Sequence, residues 1–183
     1  MTDHSDDGDV LAAARTRPEL LGVLYERHAP AVLRFLVRRV GAAAAEDLLA
    51  EVFTAAVAGR LRVRPHESGS ALPWLYGIAS NTVRSHLRSR PGRSLYDDEP
   101  VVDWDAVDAR LDADAQRGNL RVALAGLTAA ERELLLLVAW EGLTPAEAGG
   151  VLGLTPVAAR SRLHRARTRA QAALTPDTIV RTP

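Results

Sequence analysis

The sequence predicts an all-α protein made of two small helical domains joined by an acidic linker. Its 183 residues are 47% hydrophobic but only 4% aromatic, which favours small helical cores over sheets. Apolar residues recur at helical spacing. Two helix-start signals also follow each other closely near the C-terminus, Thr144-Pro145-Ala146-Glu147 and Thr155-Pro156.

Composition narrows the classes of function. The 23 basic and 23 acidic residues balance, so no global positive charge indicates nucleic acid, and any basic surface must be local. With no cysteine and five histidines that lack metal-ligand spacing, neither a metal nor another cofactor is expected. The acidic start and the lack of a long apolar run predict no membrane insertion and a cytoplasmic protein.

The first predicted helix carries apolar residues at helical spacing, with Pro30 expected to kink or restart it. These residues are Leu21, Leu24, Tyr25, Val32, Phe35 and Leu36. His28 shares their face. A lone histidine there is most simply a satisfied core or boundary residue, so it is given no role.

The second helix is expected from Ala45 to Ala58, with Leu48, Val52 and Ala55 facing inward. Its outward face carries Asp47, Ala50, Glu51 and Thr54. Asp47 and Glu51 are like charges one turn apart, which mildly destabilises an isolated helix. The pair therefore either meets a basic partner surface or is tolerated, and the pattern alone leaves both open.

A third helix begins near Leu72-Pro73 and has two distinct faces. The predicted buried stripe is Leu72, Leu75, Ala79 and Val83. The opposite face carries Trp74, Gly77, Asn81, Arg84 and Arg88. Aromatic, amide and guanidinium groups on one face suit unpaired nucleic acid, because rings stack on bases and Arg holds phosphate. The alternative for Trp74 is simple packing at the helix start.

Residues 91–117 hold eight acids against three arginines, and their first half is predicted to be an extended linker. A helical turn is allowed from about Trp104, and helix is expected again from Asn119. Thr128 to Glu131 form a capping box, which is followed by the apolar run Leu134 to Trp140 and the stop signal Gly142.

The two C-terminal start signals predict a helix-turn-helix with a basic second helix. Its stripe of Ala159, Leu163, Ala166 and Ala170 should dock, while Ser161, His164 and Arg165 face away. Four more arginines flank the stripe: Arg160, Arg162, Arg167 and Arg169. Early residues of such a helix meet base edges and later arginines meet phosphates, which points to DNA. A solvated amphipathic helix is the alternative.

Three motifs in this order resemble an extracytoplasmic-function (ECF) sigma factor of bacterial RNA polymerase. They are Ala45 to Phe53, Trp74 to Asn81, and Ser161 to Arg167. The resemblance covers roughly Glu19 to Leu174. It implies a promoter-specificity subunit whose partners are core RNA polymerase, promoter DNA and an anti-sigma factor.

The resemblance assigns roles to the two helical units and the linker, and both tails fall outside it. The expected parts are an acidic disordered tail (1–14), sigma region 2 (15–90), an acidic linker (91–117), sigma region 4 (118–174) and a flexible tail (175–183). Asp47, Ala50, Glu51 and Thr54 would bind polymerase. Trp74, Asn81, Arg84 and Arg88 would bind the minus-ten element. The minus-thirty-five set would be Val157, Ala158, Arg160, Ser161, Arg162, Arg165 and Arg167.

Some positions depart from the family pattern. Ala50 replaces the common Gln of the polymerase-binding helix, and Gly149 replaces the common Ala of the first helix of the helix-turn-helix. Val157-Ala158-Ala159 replaces the common Gly-Thr-Val, which removes a hydroxyl near the DNA end of the recognition helix. The preferred minus-thirty-five sequence is therefore expected to differ from the usual one.

Two other functions are alternatives to this interpretation. A stand-alone helix-turn-helix regulator would bind duplex DNA without polymerase, and the Trp74 and Asn81 face would be idle. A small helical enzyme would need a nucleophile with a base, a Gly-rich phosphate loop or a metal cluster, and the sequence offers none. We therefore expect no enzymatic activity.

Overall fold

The computed structural model describes residues 6–63, 68–89 and 122–174, and these ranges contain helices and no strand. A 3-10 turn at Pro18–Leu20 precedes α2, and a short helical turn covers 122–125. The α-helices are α1 Asp7–Ala14, α2 Leu21–Val40, α3 Ala42–Gly59, α4 Leu72–Arg88, α5 Ala129–Ala139, α6 Pro145–Val151 and α7 Pro156–Leu174. The predicted all-α fold is confirmed.

Helices α1 to α4 form the first unit around a core centred on α2. Phe35 and Leu36 of α2 and Leu75 of α4 are fully buried, and the Phe35 ring stacks on Tyr76 with centroids 5.0 Å apart. Helix α2 runs through Pro30 without a break, contrary to the expected restart. Gly41 alone joins α2 to α3, with a φ of 78° that favours glycine.

The expected disordered tail over residues 1–14 is wrong from Asp7 onward, because residues 7–14 form α1. Val10, Leu11 and Ala14 of this helix are buried in the core of the first unit. Asp7 and Asp9 stand in its first turn, where negative charge stabilises a helix. The acidic residues that suggested a disordered tail thus include the first turn of α1.

Helix α1 also holds the beginning of α4. The Asp7 carboxylate accepts the Ala71 amide at 2.9 Å, Arg27 at 3.0 Å and His28 Nε2 at 2.6 Å. Helix α4 has no side-chain cap of its own at Ala71. Asp7 therefore adds a bond from a distant segment to the local one, in which the Ser70 hydroxyl accepts the Leu72 amide at 3.2 Å. His28 is the satisfied boundary residue that the sequence predicted.

Helices α5 to α7 form the second unit. Thr128 and Thr144 both make the predicted capping boxes, each bonded reciprocally with the glutamate three residues later. The buried Arg132 donates to the carbonyls of Leu124 and Leu127 and so ties the helical turn at 122–125 to α5. These starts are set by short-range hydrogen bonds.

The two units pack against each other through α4 and α6. Buried residues of both belong to one apolar cluster, which includes Phe35 and Tyr76 from the first unit and Leu134, Leu137 and Ala148 from the second. The described parts of the chain therefore share a continuous core.

Some expectations lie outside the described residues: the linker at 91–117, the turn near Trp104, the helix start at Asn119 and the tail at 175–183. The domain boundaries stay predictions. Within α3 one inward assignment is wrong, since Ala55 is exposed and Ala56 is buried. Leu48 and Val52 are buried as predicted.

Candidate nucleic-acid interface

The turn between α6 and α7 brings the two helices into close contact. Gly153 has a φ of 69°, and the Leu154 amide donates to the Gly149 carbonyl at 2.8 Å. At the start of α7 the Thr155 hydroxyl accepts the Ala158 amide at 3.2 Å. These contacts give the predicted helix-turn-helix its fixed geometry.

Helix α7, here called the recognition helix, docks through the predicted stripe. Ala159, Leu163, Ala166 and Ala170 are all buried. The exposed face is rich in arginine, and the helix contains no acid. Exposed positions are Val157, Arg160, Ser161, His164, Arg165, Arg167 and Arg169, while Ala158 and Arg162 are half-buried. A docked helix with a basic outer face is what major-groove binding requires.

Arg169, which the helical wheel placed on a flank of the buried stripe, is bonded to another helix. Its guanidinium donates to both carboxylate oxygens of Glu131, at 3.0 and 2.9 Å. Burial of Glu131 acts against ionisation, but bonds from Thr128 and Arg169 hold the pKa of Glu131 below its ordinary value. Arg169 thus joins the recognition helix to the start of α5.

The outer face of α4 is exposed at the predicted polar positions. Asn81, Arg84 and Arg88 are exposed, and Leu75, Ala79 and Val83 are buried. Arg84 Nη1 donates to Asn81 Oδ1 at 2.9 Å, so these two side chains form one polar unit on the surface. Leu72, predicted to be buried, is half-buried.

Trp74 differs from its exposed neighbours on this face. It is half-buried and packs against the core of the first unit. A β-carbon built on Gly59 would lie 3.9 Å from Trp74 Cζ2, which places the ring beside the end of α3. Much of the Trp74 side chain is therefore packed against the protein, as the alternative interpretation of this residue expected.

The outer face of α3 is exposed at Asp47, Ala50, Glu51 and Thr54, as predicted. The Thr54 hydroxyl donates to the Ala50 carbonyl at 2.8 Å. Neither Asp47 nor Glu51 has an ion-pair partner among the residues that the structure describes. The acidic pair is therefore available to another molecule.

An apolar rim that the sequence reasoning missed lies beside this acidic pair. Val57 and Leu61 are 41% and 54% exposed, and the half-exposed Tyr25 meets Phe53 edge-on at 4.8 Å. Phe53, Val57 and Leu61 recur every four residues, a signal that was readable beforehand.

The sequence reasoning also missed Arg38 and Arg39 of α2, whose partners are Glu133 and Glu141 of the second unit. Their sequence separation of about a hundred residues left no local signal. Burial raises the pKa of Tyr76 to about 12, and the neighbouring Glu141 carboxylate, which accepts a bond from its hydroxyl, adds to this.

In the ranges described, no group of three His, Asp or Glu side chains could hold a metal ion. No helix within those ranges is long and apolar enough to cross a membrane.

Comparison with known proteins identifies the family to which the two helical units belong. The family model for Sigma-70 region 2 matches residues 24–92, and that for Sigma-70, region 4 matches residues 117–169. The sigma factor CarQ of Myxococcus xanthus is 38% identical over 144 residues, which cover 78% of this chain and 82% of CarQ. The ECF sigma factor SigC of Mycobacterium tuberculosis is 33% identical over 96% of each chain.

Solved structures show the same fold. CnrH in complex with the cytosolic domain of CnrY superposes with a TM-score of 0.65 at 24% identity, over 95% of this chain and all of that chain. RpoE of Bartonella quintana, bound to the anti-sigma factor NepR, gives 0.54 at 24% identity over 90% of this chain and 99% of that one.

The chain belongs to the ECF sigma factors, the subunits that direct RNA polymerase to promoters. The alternative of a stand-alone helix-turn-helix regulator leaves the match to region 2 unexplained and is not favoured.

Proposed function

We propose that three surfaces of this sigma factor each bind a different partner during transcription initiation. The α3 face of Asp47, Ala50, Glu51 and Thr54 docks on a basic surface of core RNA polymerase. The α4 face captures the melted minus-ten strand, and the recognition helix reads the minus-thirty-five element.

The recognition helix carries the proposal, because its apolar stripe is buried while its arginines remain outside. Arg160, Ser161 and Arg165 lie exposed in the first half of the helix, where helix-turn-helix geometry meets base edges. Arg162 is half-buried at the border of this face. The exposed Val157 and its neighbour Ala158 bring methyl groups to the start of the helix, which suits contact with a thymine methyl group.

The α4 face suits unpaired DNA because Asn81 and Arg84 are exposed together. The Asn81 amide can pair with a base edge while Arg84 orients it and contacts phosphate. Arg88 continues the positive charge into the last turn. Trp74 contributes the exposed part of its ring at the beginning of the helix.

Polymerase docking rests on α3, where two unpaired carboxylates face outward. A basic partner surface would turn the like-charge repulsion between Asp47 and Glu51 into attraction. Ala50, in place of a longer polar side chain, leaves this surface flat between them.

The protein acts without a catalytic centre of its own and works in the cytoplasm. An anti-sigma factor is a further partner, since CnrH and RpoE, which share its fold, were solved in complex with CnrY and the anti-sigma factor NepR.

The direct test is reconstitution with core polymerase, transcription of genomic fragments and mapping of the start sites. Asp47→Arg with Glu51→Arg should abolish co-purification with core polymerase while the circular dichroism stays unchanged. Glu19→Arg with Glu26→Arg is the matched control, because both residues are exposed and lie outside the three surfaces. Wild-type yield from the first pair would disprove the docking assignment.

A further inference from the structure

The start of α1 holds the segment that leads into α4. Asp7 Oδ2 accepts the Ala71 amide at 2.9 Å and lies 2.6 Å from His28 Nε2. Asp7 Oδ1 accepts Arg27 Nη1 at 3.0 Å. The Asp7 side chain is only 10% exposed, and a carboxylate buried to this degree needs such bonds in place of water. The Ala71 amide is thus tied to a point outside its own helix.

Asp6 adds a second contact to the same segment. It stands at the cap position of α1 but makes no side-chain cap bond there. Its carboxylate instead lies against the Gly69 backbone, since a β-carbon built on Gly69 would stand 2.5 Å from Asp6 Oδ2. Gly69 has a φ of 72°, which favours glycine. Two neighbouring carboxylates of α1 therefore contact the last residues before α4.

The segment held in this way begins the helix that carries the proposed minus-ten face. Ala71 is the cap residue of α4, and Trp74 follows in the first turn, half-buried beside Gly59 at the end of α3. Asn81 comes ten residues after Ala71, or about 15 Å further along the helix. A tilt of about 5° at the held end would move Asn81 by roughly 1 Å. Binding groups work only when they are held more closely than this, to about 0.5 Å.

We propose that Asp7, with Asp6 beside it, is a positioning residue for promoter melting. It fixes the first turn of α4, so that Trp74 and Asn81 are placed correctly for the unpaired strand. The carboxylates act through α4 and need not touch DNA themselves. This role rests on the proposed function, because it requires the α4 face to capture the melted strand.

The apolar contacts of this region do not fix α4 in the same way. Buried side chains such as Leu11 of α1 and Leu75 of α4 hold both helices in the core. The hydrophobic effect is non-directional, whereas a hydrogen bond restricts both a distance and an angle. The bond between Ser70 and Leu72 lies within the segment itself. The bond from Ala71 to Asp7 therefore ties the start of α4 to another helix in a defined direction.

Two substitutions remove this tie in steps. Asparagine at position 7 keeps one acceptor oxygen, and its amide N–H group would face either the Arg27 guanidinium or the Ala71 amide, which can only donate. Asp7→Ala removes both oxygens. Asp9→Asn and Asp9→Ala are the matched controls, because Asp9 is exposed in the same helical turn and carries the same charge. Circular dichroism confirms at the outset that each variant is folded.

The first measurement is the rate of open-complex formation at saturating holoenzyme, on a promoter mapped by the start-site experiment. A merely structural role would lower the amount of active holoenzyme but leave the rate of each complex at saturation unchanged. We expect that rate to fall roughly two- to tenfold in Asp7→Ala, the factor equivalent to one lost hydrogen bond, and to fall less in Asp7→Asn. It should fall far less on a template melted beforehand by mismatches, and it should not change in the Asp9 controls.

Combination with Asn81→Ala tests whether Asp7 acts through the α4 face. If it does, Asp7→Ala with Asn81→Ala should lose less than the product of the two single losses, because coupled groups are not additive. Hydrogen exchange supplies a local readout in the free protein. The Ala71 amide should lose its protection in Asp7→Ala while the amides of α2 keep theirs.

An unchanged rate at saturation in Asp7→Ala would overturn the positioning role, and so would losses that multiply in the double variant. A loss of protection spread evenly over the first unit would overturn it as well, because the effect would then be one of global stability. In each of these cases a slow Asn81→Ala variant would leave the proposed function intact. If Asn81→Ala itself formed open complexes at the normal rate, the result would instead count against the proposed α4 face, on which the positioning role depends.

Discussion

Gly149 of α6 and Ala159 of α7 lie in direct contact across the helix-turn-helix. A β-carbon built on Gly149 would stand 2.7 Å from the Ala159 β-carbon and 3.4 Å from the Leu154 carbonyl oxygen. The glycine that departs from the family's usual alanine thus permits this close approach of the two helices.

Gly149→Ala should therefore destabilise the protein, although alanine is the better helix former. Overpacking of this kind costs about 1 to 3 kcal/mol, more than the roughly 1 kcal/mol that alanine gains in a helix. Denaturant unfolding measures the difference.

Two variants control this prediction. Gly150→Ala changes the neighbouring glycine, which has open space around it, and this variant should stabilise the protein. Adding Ala159→Gly to Gly149→Ala should recover part of the loss. A stable Gly149→Ala single variant would show that the helices move apart easily.

Asp7→Asn should lower the free energy of unfolding at neutral pH by about 1 to 3 kcal/mol, as expected for a buried charge-assisted hydrogen bond. Burial disfavours the charge, but the Ala71 amide, Arg27 and His28 outweigh it and keep the pKa of Asp7 below its ordinary value of 3.8. A lowered pKa stabilises the fold above the unfolded-state pKa, and this contribution disappears as the pH falls through the folded-state pKa.

The difference in the free energy of unfolding between Asp7→Asn and the unchanged protein should accordingly become smaller below about pH 4. Thermal unfolding from pH 7 to pH 3 tests this. Asp9→Asn is the control, since Asp9 is exposed in the same helical turn. A difference that stays constant over this range would mean that the Asp7 charge is not what stabilises α4.

Asn81→Ala should reduce open-complex formation on a closed promoter far more than on a template melted beforehand by mismatches. The amide captures a base only after strands separate, so duplex affinity should hardly change. Ser85→Ala on the exposed side of the same helix is the control. Equal losses on both templates would argue against a role in melting.

Arg162→Ala or Arg165→Ala should relax base preference at one position of the minus-thirty-five element. An arginine that makes two hydrogen bonds to guanine discriminates against other bases by about 1 to 3 kcal/mol. Arg167→Ala should instead weaken binding to all sequences alike and reduce the salt dependence of that binding. Binding to a panel of single-base variants separates the two results.

Arg169→Ala should leave base preference unchanged and cost about 1 kcal/mol of stability, because the Arg169 side chain is 55% exposed and the buried Glu131 carboxylate keeps its two bonds from Thr128. If Arg169→Ala instead altered base preference, the placement of the recognition helix in the groove would be shifted by about a turn.

Features set by short-range contacts were predictable from the sequence. The capping boxes at Thr128 and Thr144 and the stripe from Ala159 to Ala170 depend only on residues a few positions apart. The same holds for the exposure of Asn81 and Arg84, which follows from helical periodicity once the helix is recognised.

Long-range contacts were not predictable. The run of acids hid α1, since nothing near Asp7 shows that Ala71 and His28 will meet it. The ion pairs of Arg38 and Arg39 likewise depend on how two units pack. Ala55 was misplaced by one residue because α3 has no polar residue after Thr54, which leaves the inward face of its last turns poorly determined.

The beginnings of the helices also indicate an order of folding. In the second unit Thr128 and Thr144 are bonded within four residues, whereas the Ala71 amide at the start of α4 is bonded to Asp7, which lies 64 residues away. Contacts close in sequence form quickly, and distant ones require a loop to close first. We therefore expect the second unit to acquire its helices early, and the first unit to acquire its final shape only after its first and last helices have met.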